Sequence, residues 1–152
     1  VDQRNEPFDE PPADQIPVIS RMHVAAMEQS DDDMVWIGAG MHQLLLRTVG
    51  RKSGNEHKVA LPYWVDANGH RIVVGSFAGA KDHPAWYLNL VAQPDVAIRL
   101  QHQGDKQARA EVLSGDDRAT VWTAMTADRP YYVNYQGRTE RELPLIRFIV
   151  TD

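Results

Sequence analysis

Five short runs rich in β-branched residues follow one another closely: Gln43 to Val49, Lys58 to Val65, His70 to Ser76, Asp95 to Leu100 and Lys106 to Leu113. A sixth spans Leu145 to Val150. Turn signals separate them, most clearly Asp66-Ala67-Asn68-Gly69 and Gln103-Gly104-Asp105, so the runs read as strands joined in hairpins. Short strands present unpaired edges, and closing the sheet on itself removes those edges. The pattern therefore predicts a mainly β (α+β) fold, a small antiparallel barrel with inserted helices. His83 to Ala92 reads as one helix, with Pro84 in the first turn, where proline is tolerated, and Pro94 stopping it. Asp116 to Ala127 reads as another, with Ser114 as a cap and Asp117 three residues on.

Ahead of the strands, residues 1–17 are acidic and carry Pro7, Pro11, Pro12 and Pro17, a composition that resists packing and predicts a mobile arm. From Val18 to Gln29 the residues Val18, Ile19, Met22, Ala25, Ala26 and Met27 form a helical apolar face. Its few basic residues favour packing on the core over binding an anionic lipid surface. Met34 to Met41 reads as an apolar loop; its Gly38-Ala39-Gly40 lacks the third glycine and the βαβ unit of a dinucleotide site. At 152 residues the chain suits one domain, taken as 18–152, burying about two thirds of its unfolded surface.

Several function classes fall away. A net charge of −5 opposes general nucleic-acid binding, which needs a basic face. The absence of cysteine excludes disulfides, thiolate nucleophiles and Cys-based metal centres. The six histidines show no ligand spacing, so no metal site is expected. Gly75-Ser76-Phe77-Ala78-Gly79 has the wrong spacing for a nucleophile elbow. No apolar run approaches the ~18 residues of a membrane span, and the expectation is a cytoplasmic protein, with peripheral membrane contact left open.

Three stretches carry chemistry. Gly50-Arg51-Lys52-Ser53-Gly54 is a glycine-bracketed basic turn between two strands, able to aim N–H groups and charge at a phosphate, or to serve as an ordinary hairpin tip. His83-Pro84-Ala85-Trp86-Tyr87-Leu88-Asn89-Leu90 places Trp86 and Tyr87 about a hundred degrees apart, one facing the core and the other a pocket. Tyr131, Tyr132 and Tyr135, beside Asn134 and Gln136, join flat apolar bodies to hydroxyl donors, which suits stacking on an aromatic ligand and protonating a reduced product. Core packing is the alternative for this cluster.

Leu44 to Gly54, His83 to Leu90 with Gln93-Pro94, and Tyr132-Val133-Asn134-Tyr135-Gln136 with Arg138-Thr139 and Leu143-Pro144 resemble the deazaflavin-dependent nitroreductase family. The likeness covers roughly two thirds of the chain, with three motifs in the family's order. It implies a split β-barrel related to FMN-binding oxidoreductases, an actinobacterial setting and use of reduced coenzyme F420. Carried over by position, it implies that Gly50, Arg51, Lys52, Ser53 and Gly54 clamp the phosphate and acidic tail. Ser76, Phe77, Ala78 and Gly79, with Trp86, Tyr87 and Asn89, would border the deazaflavin ring. Tyr132 and Tyr135 would line the substrate pocket. Ser76, Tyr132 and Tyr135 are the implied catalytic residues, orienting or protonating a small electrophile such as a quinone, enone or nitroaromatic. Phe77 stands where a lysine is common in the family, and Lys81 is a candidate to replace that charge. An FMN-dependent oxidoreductase of the same barrel class and a non-catalytic deazaflavin carrier are the alternatives. Monomer and homodimer both remain open.

Overall fold

A computed structural model describes residues 16–38 and 40–152 of the chain. Helix α1 (Ile16–Gln29) and a single turn α2 (Asp33–Trp36) precede strands β1 (Ile37–Gly38), β2 (Met41–Val49), β3 (Glu56–Pro62), β4 (Trp64–Val65) and β5 (Arg71–Val74). A 3-10 turn over Phe77–Gly79 and helix α3 (Ala85–Ala92) lead to β6 (Asp95–Leu100) and β7 (Gly104–Val112). Helices α4 (Gly115–Asp128) and α5 (Tyr131–Gly137) then precede β8 (Leu145–Val150). The strands form one curled antiparallel sheet in the order β1-β2-β6-β7-β8-β5-β4, with β3 paired to β2. It is the split barrel that the hairpin pattern and the resemblance predict.

The strand β2 organises the sheet. Leu44, Leu45 and Leu46 are all fully buried, although successive strand residues point to opposite faces. Leu44 and Leu46 enter the barrel interior with Ile98, Phe148 and Leu90. Leu45 faces outward, under Val24, Met27 and Trp36 of the two leading helices. A strand covered on both faces reads as a continuous apolar run, and this explains the Leu44-Leu45-Leu46 triplet. Electrostatics fix the same helix: Glu28 accepts a hydrogen bond from Lys58 at 2.8 Å and faces Arg47 at 3.5 Å. The hydrogen bond from Lys58 holds the Glu28 carboxyl below the usual carboxylate range.

Four local readings change. The helix expected from Val18 starts at Ile16, and the rest of the expected arm lies outside the described residues. The run Lys58 to Val65 divides at Tyr63 into β3 and β4, although the Tyr63 N–H still donates to the His42 carbonyl of β2 at 3.1 Å. The expected loop Met34 to Met41 contains most of α2 and all of β1, with the Asp32 carboxylate accepting from the Met34 N–H at 3.0 Å. A helix this short leaves no periodic signature. Ser114 occupies the cap position of α4 without a side-chain cap bond. Asp117 is instead engaged by Arg147, at 2.8 and 3.1 Å, so no reciprocal capping box forms.

Trp36 joins both layers, fully buried beneath the helices with its indole N–H donating to the Ser30 carbonyl at 2.6 Å. Trp36→Ala should therefore destabilise the protein by about 3–5 kcal/mol, the range for emptying a large buried aromatic site, as read from chemical denaturation.

Candidate functional site

The β2–β3 hairpin tip is built rigidly. The Gly50 N–H donates to the Asn55 carbonyl at 2.7 Å and the Gly54 N–H to the Gly50 carbonyl at 2.9 Å. Gly54 adopts a φ of 72°, where glycine is favoured. A Cβ on Gly50 would come within 2.6 Å of both Ser53 Oγ and His57 Nε2, so a larger residue there would push these two side chains aside. One side-chain relay fixes the tip to the barrel. Asn89, buried on α3, accepts at Oδ1 from the Arg51 N–H at 3.2 Å and Arg51 Nη1 at 2.9 Å. Its Nδ2 donates to Thr48 Oγ1 at 3.4 Å. The tip lines a groove of about 210 Å³ that includes Arg51, Lys52 and Ser53, a concavity with the charge and donors for a phosphate.

A larger cleft of about 530 Å³ lies beside that groove, and His57, Ala85 and Asn89 line both. Its walls are mainly apolar: Val59 to Pro62 of β3, Val74 at the end of β5, Trp86 of α3, and Ile19 of α1. Ser76, Phe77 and Tyr132 bring polar groups and a phenyl ring to the same cavity. Its size and lining suit a flat aromatic ligand. Phe77 has φ 43°, unusual for a non-glycine residue, and sits where the chain leaves β5 for the cleft. Gly79 has φ 76°, and a Cβ there would lie 2.5 Å from the Tyr135 carbonyl. That glycine serves the approach of α5. Ala78 lies between them in the same turn.

The tyrosines divide by position. Tyr131, Tyr132 and Tyr135 are all buried, with ring centroids 4.5 to 6.1 Å apart. Tyr132 lines the cleft, whereas Tyr131 and Tyr135 do not. Tyr131 and Tyr135 belong to the interior cluster with Met41 and Leu143, and the Tyr131 hydroxyl donates to Met41 Sδ at 2.7 Å. Burial pushes the hydroxyl pKa of both Tyr131 and Tyr132 upward, so each remains a protonated donor. Of the adjacent pair on α3, Trp86 lines the cleft. Tyr87 packs against the core and stacks near His83 at 4.7 Å. Lys81 is exposed and is not among the cleft-lining residues.

Sequence reasoning marked Arg141 only as a basic residue following the tyrosine patch, and it did not single out His57 or the α1 residues Ile19, Ser20 and His23. The last three were read only as part of a core-facing helix; their cleft contact depends on how α1 crosses β3, which no local pattern encodes. Arg141 donates to the carbonyls of Gly75, Ser76 and Ala80 at 2.9, 2.8 and 2.8 Å, and its Nη1 lies 3.1 Å from His83 Nδ1. Burial first, and the Arg141 charge second, push the His83 pKa below the ordinary histidine value. The unfolded chain thus binds the His83 proton more readily than the folded one. The contribution from neutral His83 is present above the unfolded pKa of about 6.5 and diminishes as pH falls from there towards the lower folded value. The melting temperature of the wild type should drop more steeply below pH 6.5 than that of His83→Gln, as calorimetry across pH 5–8 would show.

The sequence profile described as F420H(2)-dependent quinone reductase matches residues 19–150. Rv3178 of Mycobacterium tuberculosis is 36% identical over 114 residues, covering 72% of this chain and 94% of that protein. The F420H(2)-dependent quinone reductase Rv1261c of the same organism is 33% identical over 105 residues, 68% of this chain and 70% of that one. Among solved structures, the F420-H2 dependent reductase FDR-A is similar at 34% identity and a TM-score of 0.58, over 70% of this chain and 93% of its own. A chain described as a domain-swapped dimer is similar at 28% identity and a TM-score of 0.63, over 91% of this chain and all (100%) of its own.

Proposed function

The chain belongs to the F420H(2)-dependent quinone reductase family, and we propose that it reduces a small quinone, enone or nitroaromatic acceptor by hydride transfer. It is an oxidoreductase and its cofactor is coenzyme F420. The observation that carries the reading is the junction of two cavities: a groove bordered by Arg51 and Lys52 at the β2–β3 tip lies beside a larger, mainly apolar cleft and shares His57, Ala85 and Asn89 with it. This fits a coenzyme with an anionic tail and a flat ring. FMN, with one phosphate and no acidic tail, would leave the Arg51-Lys52 pair with less to bind, and the family membership likewise favours the deazaflavin over FMN.

When bound, the reduced coenzyme supplies the hydride. In this proposal Arg51 and Lys52 hold the anionic tail, with Asn89 fixing the Arg51 backbone and guanidinium. Ser53 and the two bracketing glycines shape the turn. Trp86 and the β3 side chains give the ring an apolar seat and exclude water from it. Ser76 and Tyr132 both line this cleft, and in this proposal their hydroxyls orient the acceptor and deliver its proton, so that the acceptor gains one hydride and one proton. Tyr135 acts from behind, through its edge contact of 6.1 Å with the Tyr132 ring. The protein is read as cytoplasmic; among the described residues no helix is long and apolar enough to cross a membrane. The domain-swapped neighbour makes a homodimer one arrangement to examine by light scattering.

Titration with oxidised F420 and, in parallel, FMN should show selective binding of the deazaflavin. Equal or tighter FMN binding would overturn the cofactor placement. Arg51→Ala and Lys52→Ala should each weaken F420 binding about tenfold or more, the expected loss for a charge-assisted contact. Ser76→Ala and Tyr132→Phe should instead lower kcat about a hundredfold while F420 affinity holds. Tight F420 binding without turnover across all three acceptor classes would favour the carrier function.

A further inference from the structure

We infer that Arg141 is a positioning residue of the cleft, orienting the Gly75–Ser76 and Ser76–Phe77 peptides so that their N–H groups donate to an electron-rich oxygen of the bound reactants. This rests on the reductase reading above. Arg141 Nη1 takes the Gly75 carbonyl at 2.9 Å and Nη2 takes the Ser76 carbonyl at 2.8 Å. Both peptides are trans, and in a planar trans peptide the C=O and the following N–H point in opposite directions. Drawing both carbonyls onto one guanidinium therefore turns the Ser76 and Phe77 N–H groups away from Arg141. Neither N–H has a hydrogen-bond partner among the described residues, and both residues line the cleft. Ser76 lies in the right-handed region (φ −78°, ψ −40°) and Phe77 at φ 43°. That succession makes consecutive N–H groups converge on a concavity suited to negative charge.

The backbone that carries this side chain is itself braced. Gln136 Nε2 donates to the Arg141 carbonyl at 2.7 Å, and Gln136 Oε1 accepts from the Leu143 N–H at 2.9 Å. Arg141 Nε holds the far end of the loop through the Ala80 carbonyl at 2.8 Å. A lysine would keep the charge but could not span three carbonyls in one plane. Two oxygens could occupy the concavity, a ring carbonyl of the coenzyme or the oxygen of the acceptor that gains charge on reduction.

In the wild type, amide exchange of Ser76 and Phe77 should be fast without ligand and slow at least tenfold on binding. Protection by oxidised F420 alone assigns the site to the coenzyme; protection only after adding a naphthoquinone assigns it to the acceptor. No change with either, in protein that demonstrably binds F420, would overturn the inference while leaving the reductase reading intact. Failure to bind F420 would fall on that reading instead. In Arg141→Lys, the coenzyme case predicts a rise in F420 Kd of tenfold or more; the acceptor case predicts unchanged Kd and KM with kcat lowered about a hundredfold. Wild-type kcat and Kd in folded Arg141→Lys would also overturn it, and should that variant fail to fold, the wild-type exchange experiment decides.

Discussion

Everything in this molecule depends on β2 being buried on both faces. With Leu44 and Leu46 inside the barrel and Leu45 under α1 and α2, the strand has one allowed register, since a shift by one residue would exchange its two faces. Because β2 is fixed, so is what lies at its end: Thr48, which receives the Asn89 amide, and the Gly50–Gly54 turn beyond it. The groove bordered by Arg51 and Lys52 is thus a direct extension of the most constrained strand in the core. The cleft inherits the same rigidity, because seven residues of β3 pair with β2 and six of them line it.

Burial of Asn89 and of the two tyrosines bears on stability and on chemistry together. Asn89 is 3% exposed and spends its carbonyl on Arg51 and its amide on Thr48. A buried amide without partners would cost about 1–3 kcal/mol, so the relay stabilises the fold and aims Arg51 at once. The raised pKa of the buried Tyr131 and Tyr132 hydroxyls has a similar double meaning. Burial disfavours the phenolate, so Tyr132 stays protonated at the cleft wall while its proton becomes harder to give up.

The sequence made the barrel legible because its strands are short, β-branched and bounded by turn chemistry that the structure uses. Asp66 Oδ1 accepts from the Asn68 and His70 N–H groups, and Gly69 takes φ 82°. The basic turn was equally legible, since its glycines and charges are contiguous. What stayed hidden depends on contacts between distant segments. Asp117 looked like a capping partner for Ser114, but Arg147, thirty residues on, claims it. Tyr135 carries the same chemistry as Tyr132, and only the path of α5 buries one ring behind the other. Arg141 stood out only as a basic neighbour of the tyrosine patch; its partners lie 58 to 66 residues earlier.

The strained residue at the cleft shows why such contacts matter. A φ of 43° at Phe77 costs about 1–2 kcal/mol for an L-residue. A glycine there would remove that cost, as glycine does two residues later. It would also remove the phenyl ring from the wall of the cleft, where Phe77 is 47% exposed. The strain persists because the loop is determined from outside: Arg141 holds the carbonyls of Gly75, Ser76 and Ala80, and α5 closes on Gly79. Each charge-assisted hydrogen bond contributes about 1.5–3 kcal/mol, so three are ample to offset one unfavourable backbone angle. The rigidity that places a ring and two N–H groups at the cleft is therefore supplied by one arginine on the opposite side of the loop.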